Sequence, residues 1–429
     1  MSVQGEIARL NNAKTALKEA IVDKGVAVDN TATLDEYASL VRSIPSGSPD
    51  VIEKDVNFWD YDGTLLYSYT LDEIRELTEL PPAPTPKHDF LEFQKWNWTL
   101  EGIKTYMLPL DVGAIWKPSD GATRLFVNFV SDDAKKMELY INQSESNGVT
   151  IDWGDGTSHE SVSGAGAVSV SHEYAAIGDY VIAITPVSGT FTLGWNDGSV
   201  GLCGVYNDDH VMYNRAAVTQ IYVGESVSVG SYAFSYFHEL VYISLSENCT
   251  LNGIWALGNT TKLRHVNFPA SLAKIPDSCV RSSRASVVSA GENTGCGASV
   301  SQSGAIKRTF AITANWNVGY AAFGYSSSLR KIVIFPPVKN IGGEGFARCV
   351  SVATVELHSD IRTIAASSFA NMYSLKRLCF RSTTPPTVAN ANAFSGIPTS
   401  CVVEVPAASL DAYKNATNYS GIAAQMVGV

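Results

Sequence analysis

A chain of 429 residues exceeds what one ordinary hydrophobic core accommodates and predicts two to four domains. With 45% hydrophobic but only 17% charged residues, 34 glycines and 19 tyrosines, the composition suits strands and turns better than long solvated helices, so a mainly β, multidomain protein is expected. The net charge of −11, uninterrupted by any linear run of lysine or arginine, argues against nucleic acid or an anionic membrane surface as partner.

The opening MSVQGEIARLNNAKTALKEAI alternates polar and apolar residues and does not read as a secretory signal. No stretch reaches the roughly 20 apolar residues of a membrane span. A soluble product completed in a cytoplasm, without membrane insertion, is the expectation. The seven cysteines form no C-x-x-C pair and are expected as buried free thiols.

Ile7, Leu10, Lys14, Leu17 and Ile21 step by three and four residues, the a/d spacing of a short coiled coil. Thr33-Leu34-Asp35-Glu36 reads as a capping box opening a second helix with Leu34, Tyr37, Ala38 and Val41 on its apolar face, ended by Pro45-Ser46-Gly47-Ser48-Pro49. So short a stripe is marginal alone, so residues 1–45 predict an oligomerising helical segment, as a homotrimer, followed by a linker over 46–52. A monomeric helical hairpin is the alternative. The segment resembles the N-terminal attachment region of tail-tip and tail-fibre proteins of phages and prophages, which implies docking onto other tail or baseplate proteins.

Asp60-Tyr61-Asp62-Gly63-Thr64 carries the letters of the haloacid-dehalogenase-type phosphatase signature, which would make the first Asp a nucleophile and the second a general acid. The context is different. Val56, Phe58 and Asp60 alternate with Asn57, Trp59 and Tyr61 as in a half-exposed strand. Asp62-Gly63 supplies a tight turn, Leu65 to Thr70 read as the hairpin partner, and prolines stand where a phosphatase helix would continue. The aspartates are expected as turn formers and solvated acids, and no enzyme is predicted. The order strand, turn, strand, helix, proline-rich passage and aromatic strand near Trp96 is similar to the β-grasp repeats of the internalin-B-repeat type over residues 53–105, with a connector over 106–124.

Residues 125–200 alternate apolar and polar positions between Gly-Asp turns, the pattern of a β-sandwich. Trp153-Gly154-Asp155-Gly156-Thr157 with His172, Tyr174, Gly178 and Tyr180 resembles the polycystic-kidney-disease-type (PKD) module. Asp152, Asp155 and His172 invite a metal, but no set of oxygen ligands at calcium-loop spacing accompanies them, and a turn carboxylate capping backbone amides is preferred. A cap is expected over 201–217, with Asn207-Asp208-Asp209-His210 read as polar end-group chemistry in preference to a metal site. No cofactor and no metal are predicted.

The remaining sequence repeats. Phe234, Phe323, Phe346 and Phe369 mark equivalent positions, 23 residues apart where adjacent, with Leu257, Val280 and Val300 as weaker markers and Phe394 at 25. Six residues after the marker stand Leu240, Leu263, Ile306, Leu329, Val352 and Leu375. At nine and eleven come strand pairs such as Ile332/Ile334 and Val355/Leu357, and five before it stand Val229, Ile275, Val318, Ile341 and Ile364. So short a unit buries its apolar side chains only by stacking on its neighbours, which predicts a solenoid over 218–406. A bend or irregular coil is expected at 290–304, and a helix from Ser409 within a C-terminal cap over 407–429. The pattern resembles the BspA-type leucine-rich repeats of surface adhesins and phage tail proteins.

Tyr236, Phe237, Tyr320, Tyr325 and Tyr373 are the candidate receptor-binding residues, and Met372 lies among them. Such rings either stack on sugars and anchor a protein partner, or pack between coils; the sequence leaves both open. The function expected is that of a phage or prophage tail-tip protein, made in the host cytoplasm and located at the virion tail tip, that binds a bacterial surface glycan or protein. The alternative is a bacterial cell-surface adhesin built from the same modules.

Overall fold

A computed structural model of the chain describes residues 51–131, 135–195, 200–205, 212–302 and 318–429, less 286, 293, 335 and 337, together with Lys14, Leu17 and Thr33. The chain divides into two compact units, Met1–Ile52 and Glu53–Val429. In the first, Lys14 and Leu17 are helical; the rest of the expected helical foot, the capping box beyond Thr33 and most of the linker lie outside the described residues, as do the 207–210 run and Ile306.

The second unit opens with a sheet in the order β2-β1-β4-β3, formed by β1 (Val56–Trp59), β2 (Leu65–Tyr69), β3 (Leu91–Trp96) and β4 (Leu110–Pro118). β1 pairs antiparallel with β2 around the Asp62-Gly63 turn, where Gly63 takes φ 84°, and parallel with β4. Helix α1 (Leu71–Glu76) starts on a reciprocal cap between Thr70 and Glu73, and α2 (Leu100–Tyr106) starts on Thr99. Two expectations are corrected. The stretch 106–124, read as a connector, contains β4, an interior strand of the sheet. It is covered on both faces, so Leu110 to Trp116 lack the alternation that marks a half-exposed strand. For the same reason β1 is buried throughout and not half exposed.

A two-sheet sandwich follows. One sheet holds β5 (Thr123–Phe129), β7 (Val149–Asp152), β8 (Glu160–Ser161) and β10 (Gly178–Pro186); the other holds β6 (Lys136–Gln143), β9 (Gly166–Glu173) and β11 (Phe191–Leu193). Leu125, Val127, Leu139, Ile141, Ile151 and Ile182 fill the space between them. Both sheets run on into the repeats: Val218–Val223 pairs with β5, and Val227–Val229 pairs with β11. Sandwich and solenoid therefore share one core.

From there the chain winds in coils. The longer strands, among them Lys331–Ile334, Thr354–Leu357, Arg377–Phe380 and Val402–Val405, pair parallel along one side, and two-residue strands such as Asn340–Ile341 and Thr363–Ile364 pair along a second. Phe323, Phe346, Phe369 and Phe394 stack at centroid distances of 5.3, 5.7 and 6.2 Å, their planes within 8° of parallel. All seven cysteines are buried free thiols.

The inter-coil hydrogen bonds correct one marker. The Val280 and Ser282 amides donate to the carbonyls of Val300 and Gln302, and Ser301 donates to Ala322, which puts Ser301 in the marker place. That coil starts 21 residues after Val280 and 22 before Phe323. It is short, but Gly295–Cys296 pairs with Lys274–Ile275, and Val318 bridges Cys296 to Ile341, so the ladder continues through the expected bend. At the far end Tyr413 and Tyr419 close the core. Beyond helix α3 (Leu410–Lys414), the strand Met426–Gly428 adds to the sheet instead of leaving 407–429 a plain cap.

Candidate binding surface

Each coil turns a corner at its marker, and the corner has an unusual backbone. Two residues before and two after Phe323, Phe346 and Phe369 the chain is left-handed: Ala321 and Tyr325, Glu344 and Arg348, Ser367 and Asn371 all have φ between 49° and 64°. Each such non-glycine residue costs about 1–2 kcal/mol. Alternating conformations aim every second amide at the next coil: Ala321, Phe323 and Tyr325 donate to the carbonyls of Gly343, Gly345 and Ala347, each at 2.8 Å. The stacked phenylalanines behind the corner offset the strain by burial.

The candidate residues separate on this frame. Phe237 is fully buried, edge-on to Phe234 at 6.0 Å, and Met372 is buried too; neither faces solvent as expected, because both point from the corner into the core. Tyr236 is half-buried, with its ring against His238. Tyr320, Tyr325 and Tyr373 are 57%, 38% and 63% exposed. The first two share a coil on either side of its corner, and Tyr373 lies two coils on. The Arg348 guanidinium covers the Tyr325 ring at 5.1 Å, and the Tyr373 hydroxyl donates to Asn371 Oδ1 at 3.1 Å. Tyr236 is remote from this group, at the first corner.

A feature not foreseen from the sequence lies between corner and sheet. Lys262, Arg264, Arg284, Arg330, Arg348 and Lys376 are exposed there, in five coils. Residues 318–429 hold nine Lys and Arg against five Asp and Glu, in a chain of net charge −11. No long linear run reveals this, because each coil contributes only one or two members. Reading charge at the repeat period would have found it.

The sheet side is split. Over the first coils β4 and its neighbours cover it. Asn97 accepts from the Gly113 amide at 2.7 Å and donates to the Phe268 carbonyl at 2.9 Å. Trp98 Nε1 donates to the Ala290 carbonyl, Asn267 to the Ala114 carbonyl and Ser289 to the Asp111 carbonyl, at 2.9, 3.1 and 2.8 Å. Burial pushes His265 down to about 4 and Asp111 up to about 6. A cleft of about 440 Å³ remains at the joint, lined by Leu80, Phe93, Trp96, Trp98, Leu100 and Glu292 among others. Over the last coils the outward positions include charged residues: Arg377 pairs with Glu356 at 3.0 Å and with Glu404 at 2.6 Å.

The aspartates of the DYDGT stretch are turn formers but not solvated. Asp60 is buried, accepts from Trp116 Nε1 and the Tyr61 amide, each at 2.8 Å, and pairs with Lys87 at 2.9 Å. Asp62 accepts from the Thr64 amide and pairs with the same lysine. Burial raises the Asp60 carboxyl despite Lys87. At Asp62 burial is outweighed by Lys87, and the carboxyl is held low. In the sandwich Asp155 caps the Thr157 amide at 3.0 Å and meets His172 Nε2 at 2.7 Å, with Trp153 stacked on the imidazole. This is the turn-carboxylate arrangement. Among the described residues no group of three or more His, Cys, Asp or Glu is placed to hold a metal ion.

A crystal structure of a leucine-rich repeat protein from Bacteroides ovatus ATCC 8483 is similar at 18% identity, over 49% of this chain and 66% of that one, with a TM-score of 0.33. A leucine rich cell surface protein from Faecalibacterium prausnitzii A2-165 is similar at 14% identity over 44% of this chain and 82% of that one, with a TM-score of 0.16. No curated protein matches the chain. Residues 207–289 and 309–419 match the model of the BspA type leucine rich repeat region in six copies, and the C-terminal part of the chain carries repeats of that type.

Proposed function

We propose that this chain is a recognition protein that holds a bacterial surface glycan or protein along its solenoid and carries out no reaction. The observation that carries the reading is the side of the coils between corner and sheet, which presents exposed basic and tyrosine side chains on a backbone fixed by stacked phenylalanines. A rigid, extended wall multiplies weak contacts along its length. The BspA-type repeats support it. The engagement of Asp60 by Trp116, Tyr61 and Lys87 opposes a nucleophilic role, since an attacking carboxylate needs an open approach.

Display on a bacterial cell surface is the setting favoured by the repeat type. Display at a virion tail tip rests on the resemblance of residues 1–45 to attachment segments, and there the chain would assemble as a trimer on other tail proteins. The test is binding of fluorescently labelled full-length protein to a panel of intact bacteria. Saturable binding to some strains, competed by unlabelled protein, is expected; absence of saturable binding across the panel overturns the reading.

A further inference from the structure

From the Leu257 coil onward, the side of the coils between corner and sheet lacks one kind of charge. Taking the eight residues after each marker from Leu257 to Phe394, namely 258–265, 281–288, 302–309, 324–331, 347–354, 370–377 and 395–402, the sequence holds eleven Lys and Arg and no Asp or Glu. Among the described residues, stacking brings the segments of successive coils side by side, so residues a coil apart in sequence become neighbours at about 4.8 Å per coil.

Part of this charge is not neutralised. Lys262 pairs with Glu239 of the preceding coil, and Arg377 with Glu356 and Glu404. Arg284, Arg330, Arg348 and Lys376 are exposed and make no ion pair among the described residues. Between them stand hydrogen-bonding side chains, among them Ser327, Asn371 and Tyr373.

We propose that this ridge binds a linear anionic polysaccharide lying along the solenoid axis, its carboxylate or sulfate groups meeting the basic side chains coil by coil. The proposal rests on the recognition reading and names the class of ligand. Charge spacing favours a polysaccharide over a nucleic acid. Duplex DNA carries one charge per about 1.7 Å, denser than one or two cations per coil, and the acidic remainder of the molecule repels so dense a polyanion. A glycan charged once per sugar or per disaccharide matches the ridge, and its hydroxyls suit the serine, asparagine and tyrosine groups between the cations.

The experiment is calorimetric titration of the full-length chain with polygalacturonate, dextran sulfate, neutral dextran and duplex DNA, beside a variant carrying Arg284→Gln, Arg330→Gln and Lys376→Gln. These exposed positions are expected to leave the fold intact, checked by circular dichroism. The proposal expects at least one of the two charged polysaccharides to bind at low salt, about tenfold or more weaker at high salt, no binding of neutral dextran, and about a tenfold loss in the variant. The bound polymer identifies carboxylate or sulfate. It is overturned if neither charged polysaccharide binds, if the variant binds as the parent does, or if DNA of equal charge binds as tightly. Undiminished binding of the variant to bacteria refutes the ridge and leaves the recognition reading standing; failure of the parent chain to bind any bacterium removes that reading instead.

Discussion

The early and late coils place the same two strand positions outward and use them for opposite ends. In the early coils these positions are His265, Asn267 and Ser289, each buried under the N-terminal sheet, with Asn267 and Ser289 donating to carbonyls of β4. In the late coils they include Glu356, Arg377 and Glu404, which pair with one another while part-exposed. Uncharged donors that find one buried acceptor mark a face with a permanent cover, since an unpaired polar group there would cost about 1–3 kcal/mol. A charge ladder marks a face left to water, where exposed pairs are worth less than about 1 kcal/mol. Covering half of the sheet leaves the late coils and the ridge beside them as the open part of the array.

The comparison can be broken at several points, in decreasing order of expected effect. Phe346→Ala removes the middle ring of the stack and leaves a cavity between Phe323 and Phe369; a loss of about 3–5 kcal/mol is expected by chemical denaturation, with the late coils failing first. Gly113→Val attacks the cover, because a Cβ there would fall 2.4 Å from the Asn267 side chain. A loss of about 2–3 kcal/mol is expected, read as a lower melting temperature and faster amide exchange at Val287–Ser289.

Asp111 tests the cover by pH. Its carboxyl sits at about 6 against an ordinary 3.8, so the folded protein favours its neutral form: the stabilisation is complete below pH 3.8 and is lost as pH rises through 6. Asp111→Asn keeps the acceptor for Trp59 and is neutral at every pH. It is expected to be more stable than the parent by about 2–3 kcal/mol at pH 8, with the gain vanishing near pH 4, in denaturation curves at the two pH values. His265 acts in the other direction, being held at about 4, so the parent loses its contribution as pH falls below about 6.5; the difference between variant and parent isolates Asp111. Arg377→Ala is the smallest perturbation, a change under about 1 kcal/mol, because its pairs with Glu356 and Glu404 are part-exposed and screened.

Much of this organisation was legible in the sequence, for identifiable reasons. A period of 23 is visible wherever large apolar residues keep it, as Phe323, Phe346 and Phe369 do; it misled at Val300, a buried neighbour of the true marker Ser301. The hairpin at Asp62-Gly63 was readable because turn chemistry is local, whereas the burial of Asp60 depends on Lys87 and Trp116, distant in sequence. β4 was missed because a strand covered on both faces has no period-two pattern. The corners were missed because left-handed positions usually announce themselves by glycine, and here Ala321, Glu344 and Ser367 occupy them. Of the candidate aromatics, Phe237 proved to be core, and the ridge escaped notice because its cations come only one or two to a coil along the chain.

The most direct test of the division between covered and open coils is amide hydrogen exchange of the full-length protein with and without bacterial envelope fragments from a strain it binds. The account predicts new protection in 324–331, 347–354 and 370–377, with Val287–Ser289 already protected and unchanged. New protection confined to the sandwich or to β1–β4, with those three segments unaffected, would contradict it.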